Sequence, residues 1–402
     1  MSSITVSSIT SAPLASSESL AQPLQYFIID AFAERPFSGN PAAVVLLPLA
    51  GGEDTVRVEA AMRSLAAEFN LSETAFVSPS PPGGGLEAFR AAPRFGLRWL
   101  TPTREVALCG HATLAAAHAL LAELGHAGLA RGDAVIFDTL SGPLSVRAAP
   151  APAPAPAPAL PAPPALLTMR FPLNAPERAA DVFAGDGGGG GAGLPPAVRA
   201  IIRICLPPPA GAADAADEAA ADAAYGDGCG DARVRAAFFS RATGKLFLRL
   251  RDGAESLALL RAIPAPAAAA LLAVDQSRLP VAVTGLSVCV RLSGSGGGGD
   301  GDGGGDAPDF ISRYFSPWNG IHEDPVNGSS HTTLAPYFAA EIARERGAAA
   351  AAALAAGGRL TVVGEMASRR GGTLVCTVSQ DCVDIAGRCV TVAAGSVRPL
   401  LR

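Results

Sequence analysis

The sequence carries a weak copy of itself, and no other feature narrows the fold as much. Arg98-Trp99-Leu100-Thr101-Pro102 is followed by Gly110-His111-Ala112-Thr113-Leu114-Ala115. In the second half, Arg313-Tyr314-Phe315-Ser316-Pro317 is followed by Ser330-His331-Thr332-Thr333-Leu334-Ala335, across a longer loop. In each copy an aromatic strand runs into a Pro turn, and small residues then open an apolar helix. Shared order and spacing over two segments point to duplication. Duplication predicts two similar halves facing each other, each presenting a helix N-terminus.

Such an arrangement has chemical consequences. A helix start exposes unpaired N–H groups and a partial positive charge. Gly110 and Gly328-Ser329-Ser330 let a ligand approach the backbone closely. Two such ends across a cleft would hold an anionic group, above all a carboxylate.

Along the chain, Leu24 to Phe32 and Ala42 to Leu47 read as strands around a Pro36-to-Pro41 turn. Val58, Ala61, Met62, Leu65, Ala66 and Phe69 fall on one helical face. Strand character returns at 74–77 and 95–100, an apolar helix spans 110–123, and 135–138 with 144–147 reads as a hairpin. Further strands are expected at 166–171, 201–206, 236–240, 245–250, 286–292, 310–315, 359–363, 373–378 and 388–393, with a helix near 331–346. Tracts of Ala, Pro, Gly, Ser or Asp occupy 1–22, 148–164, 185–193, 208–232 and 294–307. The expected organisation is a disordered tail over 1–22, an N-terminal domain over 24–147, an Ala/Pro linker or insert over 148–164, and a C-terminal domain over 165–402 that carries the other three tracts.

Composition removes several function classes. No stretch of large apolar residues is long enough for a transmembrane span. The balance of 31 basic against 36 acidic residues, with no dense Arg cluster, argues against nucleic acid as a partner. Lys245 is the only Lys of the chain. The 7 Cys are scattered, with no CxxC pair and no Cys-His ladder, so neither a disulfide framework nor a structural metal site is expected. Residues 1–22 lack Lys and Arg, unlike a secretory signal or an Arg-bearing transit peptide. A cytosolic location is expected. No nucleotide-binding glycine motif is present, and no cofactor is expected.

Glu73 lies between a helix and a strand, next to Leu71, Ala75 and Phe76. A partly buried carboxyl there would bind its proton more tightly and act as acid and base in turn. Asp324 precedes the second helix; a turn or capping role competes with a chemical one. His111 opens the first helix and could carry a proton beside a bound carboxylate, whereas His331, inside the second, reads as structural. Cys109 reads equally as a small buried filler and as a thiol activated by the helix start.

These residues together resemble the PhzF family of phenazine-biosynthesis-like isomerases, within the diaminopimelate-epimerase-like superfamily. The matching strings include Phe37-Ser38-Gly39-Asn40-Pro41-Ala42-Ala43-Val44, Asn70-Leu71-Ser72-Glu73-Thr74 and Cys109-Gly110-His111-Ala112-Thr113. Glu323-Asp324-Pro325-Val326-Asn327-Gly328-Ser329-Ser330-His331 and Ser368-Arg369-Arg370-Gly371-Gly372 extend them, and the wording is closest to the eukaryotic, MAWD-binding-protein-like branch. The resemblance implies an α/β (α+β) fold of two similar domains, each a curved, barrel-like sheet around a central helix, with the active site between them. It implies that Glu73 is the catalytic acid/base, that His111 and Asp324 hold substrate and assist proton transfer, and that Gly110, Gly328 and Ser329 bind substrate. It also implies a homodimer. The best-known family substrate is trans-2,3-dihydro-3-hydroxyanthranilate, to which nothing in this sequence points. Asn327 stands where the family usually has Thr, a mild change. Met366 stands where many members have Gln, and is expected at the cleft. The function expected is a cofactor-independent isomerase acting on a small carboxylate-bearing substrate. A two-thiol racemase would need a second Cys between Ser316 and His331, where none occurs. A non-enzymatic scaffold is the third alternative.

Overall fold

The computed structural model describes residues 22–149, 165–183, 194–206, 231–292 and 307–398. The low-complexity tracts expected at 1–22, 148–164, 185–193, 208–232 and 294–307 lie almost wholly outside the described residues.

The strands of the first half are β1 (Leu24–Ala31), β2 (Asn40–Leu46), β3 (Glu73–Pro79), β4 (Arg94–Leu100), β5 (Glu105–Val106), β6 (Val135–Thr139), β7 (Gly142–Ala148) and β8 (Leu167–Pro172). Those of the second are β9 (Glu177–Arg178), β10 (Val234–Ser240), β11 (Lys245–Leu250), β12 (Gly285–Arg291), β13 (Phe310–Ser316), β14 (Ile321–Asp324), β15 (Leu360–Met366), β16 (Gly372–Val378), β17 (Cys382–Gly387) and β18 (Cys389–Val397). They form one continuous sheet.

Its pairing repeats. The first lobe runs β18-β1-β2-β3-β4-β6-β7-β8, and the second runs β9-β10-β11-β12-β13-β15-β16-β17. In both, the second-to-third and fourth-to-fifth pairs of those middle strands, β2/β3 with β4/β6 and β11/β12 with β13/β15, are parallel, while the remaining neighbours are antiparallel. The short β5 and β14 hang antiparallel on β4 and β13. The lobes join through β8 and β17. The duplicated Arg residues play one role twice: Arg98 grips Glu105 through two bonds of 2.7 Å, and Arg313 grips Glu323 through bonds of 2.6 and 2.9 Å.

Each lobe curls around a helix. The first central helix, Gly110–His118, is buried from His111 onward against β1, β2, β3 and β8, and continues as a π-helical turn over Ala119–Glu123. The second, Gly328–Glu345, lies against β15, β16 and β17. Strand alternation explains why the sheet is buried on both faces. In β11, Phe247 joins the inner core with Phe338 of the second central helix, whereas Leu246, Leu248 and Leu250 face an outer layer of helices. In the first lobe, Ala42, Val44, Ala75 and Val77 point inward, and Val45 and Phe76 meet the Thr55–Phe69 helix outside.

One expected strand is a helix. Residues 201–205 belong to the helix Pro196–Cys205, which buries Val198, Ile201, Ile202 and Cys205, and Leu206 follows as its C-cap. Those positions follow helical spacing, and Pro suits a first helical position. A six-residue apolar window does not separate the two periods. No helix among the described residues is long and apolar enough to cross a membrane.

Candidate active site

A cavity of about 220 Å³ opens between the two halves, where the starts of both central helices meet. Glu73, His111, Asp324, Gly110, Gly328 and Ser329 all line it. Local structure places each one. The Thr55–Phe69 helix stops at Asn70, whose left-handed backbone (φ 48°) turns the chain into β3. Glu73 begins β3 on its inner face and is 8% exposed. His111 is the second residue of the first central helix, and Asp324 ends β14, just ahead of the second. A Cβ on Gly110 or Gly328 would meet only ordinary contacts, the nearest at 3.6 and 3.8 Å. Packing therefore does not demand either glycine, and the bare backbone matters on the cavity side.

The three titratable groups share one hydrogen-bond network. His111 Nε2 lies 3.3 Å from Glu73 Oε2, and its Nδ1 lies 3.2 Å from Asn40 Nδ2. Asn40 Nδ2 also donates to Asp324 Oδ1 (2.6 Å) and to the Val326 carbonyl (2.9 Å). The two hydrogens of this amide serve the shorter bonds to Asp324 and Val326; an ionised Glu73 can only accept, so beside it the neutral ring carries its proton on Nε2 and leaves Nδ1 without one. Burial holds the His111 pKa down to about 4 against the opposing pull of Asp324, so the contact with Glu73 is a hydrogen bond from a neutral ring. Burial also raises the pKa of Glu73, opposed by a hydrogen bond from Ser72. Asp324 is raised to about 6, chiefly by burial, with His111, Asn327 and Lys245 opposing. Two carboxyls with elevated proton affinity thus flank one neutral imidazole.

Cys109 sits beside them, its Sγ 3.5 Å from His111 Nδ1. Burial first, then the Glu73 carboxylate, raises this thiol well above its ordinary value. The ligand atoms of Glu73, Cys109 and His111 lie within 4.8 Å of one another, a spacing a metal ion could use. Metal binding would need the thiolate, the form that this environment disfavours.

Residues 29–156 and 299–395 match the model of the PhzC-PhzF family, described as phenazine biosynthesis-like protein. The chain belongs to this family. It is 32% identical to phenazine biosynthesis-like domain-containing protein 1 of Mus musculus, across 93% of this chain and 99% of the relative. An uncharacterized isomerase of Pseudomonas aeruginosa is 31% identical, across 93% and 98%. The crystal structure of a PhzF-family protein from Enterococcus faecalis superposes with a TM-score of 0.60 at 28% identity, covering 94% of this chain and 99% of that one. The PhzF fold expected from the motifs is therefore the fold of this chain, and the relatives fit the eukaryotic branch.

One expectation about departures from the family pattern changes. Met366 is fully buried in the core, with the Ser312 hydroxyl 3.1 Å from its sulfur, and does not line the cavity. Asn327 belongs to both the helix cap and the Asp324 network. Its Oδ1 caps the second central helix by accepting from Ser330 N (2.7 Å), while its Nδ2 donates to Asp324 Oδ2 (2.8 Å). A Thr hydroxyl also accepts and donates, so the usual residue offers the same two kinds of bond from a single atom.

Two cavity-region residues were not singled out from sequence as site residues. Asn40 bridges the halves, at the end of a turn in which Arg370 binds the Ser38 and Gly39 carbonyls and the buried Asp30. Gly39 is obligatory there, since φ is +65° and a Cβ would meet the Ala31 carbonyl oxygen at 2.2 Å. Lys245 starts β11 and lines the cavity from the second half.

Proposed function

We propose that this chain is a cofactor-independent isomerase that moves a proton within a small carboxylate-bearing substrate. The observation that carries this reading is the buried Glu73 carboxyl, facing the cavity between two helix starts and bonded to a neutral His111.

The cavity suits a small ligand, and the backbone at Gly110, Gly328 and Ser329 offers N–H groups for a carboxylate. Ionised Glu73 removes a proton from a carbon next to the substrate's unsaturated system. The C–H electron pair enters that system and the double bond shifts. Glu73, now protonated, returns the same proton to the far end, so substrate and product have the same composition and no redox partner is needed. His111 donates to the Glu73 carboxylate through Nε2–H and holds it in place; Asn40 and Asn327 hold Asp324, whose elevated proton affinity suits a proton donor to the developing anion. The name of the Pseudomonas relative, an uncharacterized isomerase, is in keeping with this reading.

Glu73→Gln keeps the shape and removes the proton carrier. Turnover should fall by roughly three decades, about 4 kcal/mol of barrier, while the melting temperature and protection by a bound carboxylate persist. A variant retaining more than a tenth of wild-type turnover would refute the assignment.

A further inference from the structure

We propose that Lys245 is the counter-ion for the substrate's carboxylate, seating it against the Ser329 start of the second central helix. The proposal rests on the reading of the cavity as a carboxylate site and names the side chain that would set the substrate's orientation in it.

Lys245 is 7% exposed and lines the cavity. Its ammonium donates to Ser329 Oγ and, at 3.3 Å, to Asn327 Oδ1. It also lies 5.1 Å from the centre of the Tyr314 ring. Both hydrogen-bond acceptors are neutral, and among the described residues no carboxylate lies within ion-pairing distance. A Lys has three donors, so one is left over. A buried cation without an anion is costly, and here the missing anion would come from the cavity.

The duplication shows that this cation is specific to one half. Ala42 of β2 pairs with Glu73 of β3, and Lys245 of β11 pairs with Gly285 of β12. The two pairs occupy matching places in the two lobes. The first half thus has an acid where the second has glycine, and alanine where the second has its lysine. Gly285 is required, because a Cβ there would meet the Tyr314 hydroxyl at 2.0 Å. The Tyr314 ring occupies the room that a second acid would need. Glu73 and Lys245 therefore stand on opposite walls, and a carboxylate drawn to Lys245 leaves the rest of the substrate toward Glu73.

Asp324 from β14, Tyr314 from β13 and His331 from the second central helix face Lys245, with Glu73, His111 and Arg104 elsewhere around the cavity. Burial lowers the Lys245 pKa to about 7, against the pull of Asp324. A carboxylate beside it would favour the charged form, so binding takes up a proton near neutral pH.

Lys245 is the only Lys, so the full-length chain grown on 13C-lysine gives a single side-chain signal that needs no assignment. Benzoate is the probe, with thermal shift and NMR as readouts. The Lys Cε signal should titrate near pH 7 in the free chain, and benzoate should move that midpoint upward. Wild-type affinity should fall about twentyfold between pH 6.5 and 8.5. Asp324 gains charge over part of the same window, so Lys245→Met, which keeps Asp324, isolates the lysine. That variant should bind benzoate at least tenfold more weakly at pH 6.5 and lose most of the pH slope. Lys245→Arg should retain binding at both pH values. Equal affinity of wild type and Lys245→Met, or a lysine signal indifferent to bound benzoate, overturns the proposal alone. If neither benzoate nor acetate protects the wild-type chain at pH 6.5, the carboxylate reading falls and takes the proposal with it.

Discussion

His111 and His331 are buried at the starts of the two central helices, and burial holds both imidazoles down to about 4. An unfolded His titrates near 6.5, so each contributes stability present above that pH and lost as pH falls toward 4. His118 acts in the same direction. Asp324 opposes them: its folded value of about 6 lies above its ordinary 3.8, so its contribution is present below 3.8 and lost as pH rises through 6. Burial raises Glu73, Asp30 and Asp309 in the same sense as Asp324, so between pH 6.5 and 4.5 the slope of stability is a balance of three imidazoles against these carboxyls. Melting temperatures across that range measure it. His331→Gln keeps a donor for the Asn327 carbonyl, which His331 Nδ1 meets at 2.9 Å, and should lose less stability than wild type, or gain more, as pH falls from 6.5 to 4.5, with the pH profile of turnover left in place. Parallel slopes in wild type and His331→Gln would show that this ring is not kept neutral. At this scale the sequence was only partly legible. Glu73, His111 and Asp324 stood in motifs as titratable groups; Asn40 stood in one too, but as an uncharged turn residue, and Lys245 begins an ordinary strand. The one signal for Lys245 was its solitude in a chain otherwise served by Arg.

The two central helices begin differently, although their strands repeat. Asn327 caps the second with its side chain, whereas Cys109, at the cap position of the first, makes no such bond. The His111 and Ala112 amides instead face the Cys109 sulfur. Cys109→Ser tests what the thiol does. Ser is a preferred cap residue, so stability should change by no more than about 1 kcal/mol in either direction. Cys109 is the one Cys among the cavity's lining residues, and a two-thiol route needs another. Turnover should stay within a few-fold of wild type; a dead Cys109→Ser beside an active Glu73→Gln would replace the isomerase reading by an epimerase-like one. Elements with a long, regular pattern were readable from sequence, including both central helices and most strands. The Pro196–Cys205 helix was not, because the low-complexity tracts on either side cut its pattern to a short apolar run. Cys382–Gly387 was missed for another reason: it alternates apolar with small and polar residues, and becomes a strand by joining β8 to β16.

Across the whole molecule, the two copies are interlocked. The chain leaves the first lobe along β8 and enters the second through β9, and at its other end β17 joins β8 while β18 returns to pair with β1. This closure explains how the chain tolerates its Ala/Pro and Gly/Asp tracts. Ala148 and Leu167 are direct partners across β7 and β8, and Ala149 N still donates to the Leu166 carbonyl at 2.8 Å. Arg291 and Phe310 are direct partners across β12 and β13, continued by Leu292 N to the Asp309 carbonyl at 3.0 Å. In both places the tract joins two adjacent antiparallel strands, a task that a turn of a few residues performs. Replacing 150–164, and separately 293–306, by a four-residue Gly/Asn turn should therefore preserve the fold. Shortening a flexible loop to that length recovers only about 1 kcal/mol of closure entropy, because the cost varies with the logarithm of loop length. Melting temperature should rise by a few degrees or hold, and turnover should be unchanged, since the residues placed at the proposed site all lie outside both tracts. Circular dichroism and a thermal melt of the two variants decide the matter. If both fail to fold, the tracts supply packing that the paired strands do not, and the repeat alone is not what holds the lobes closed.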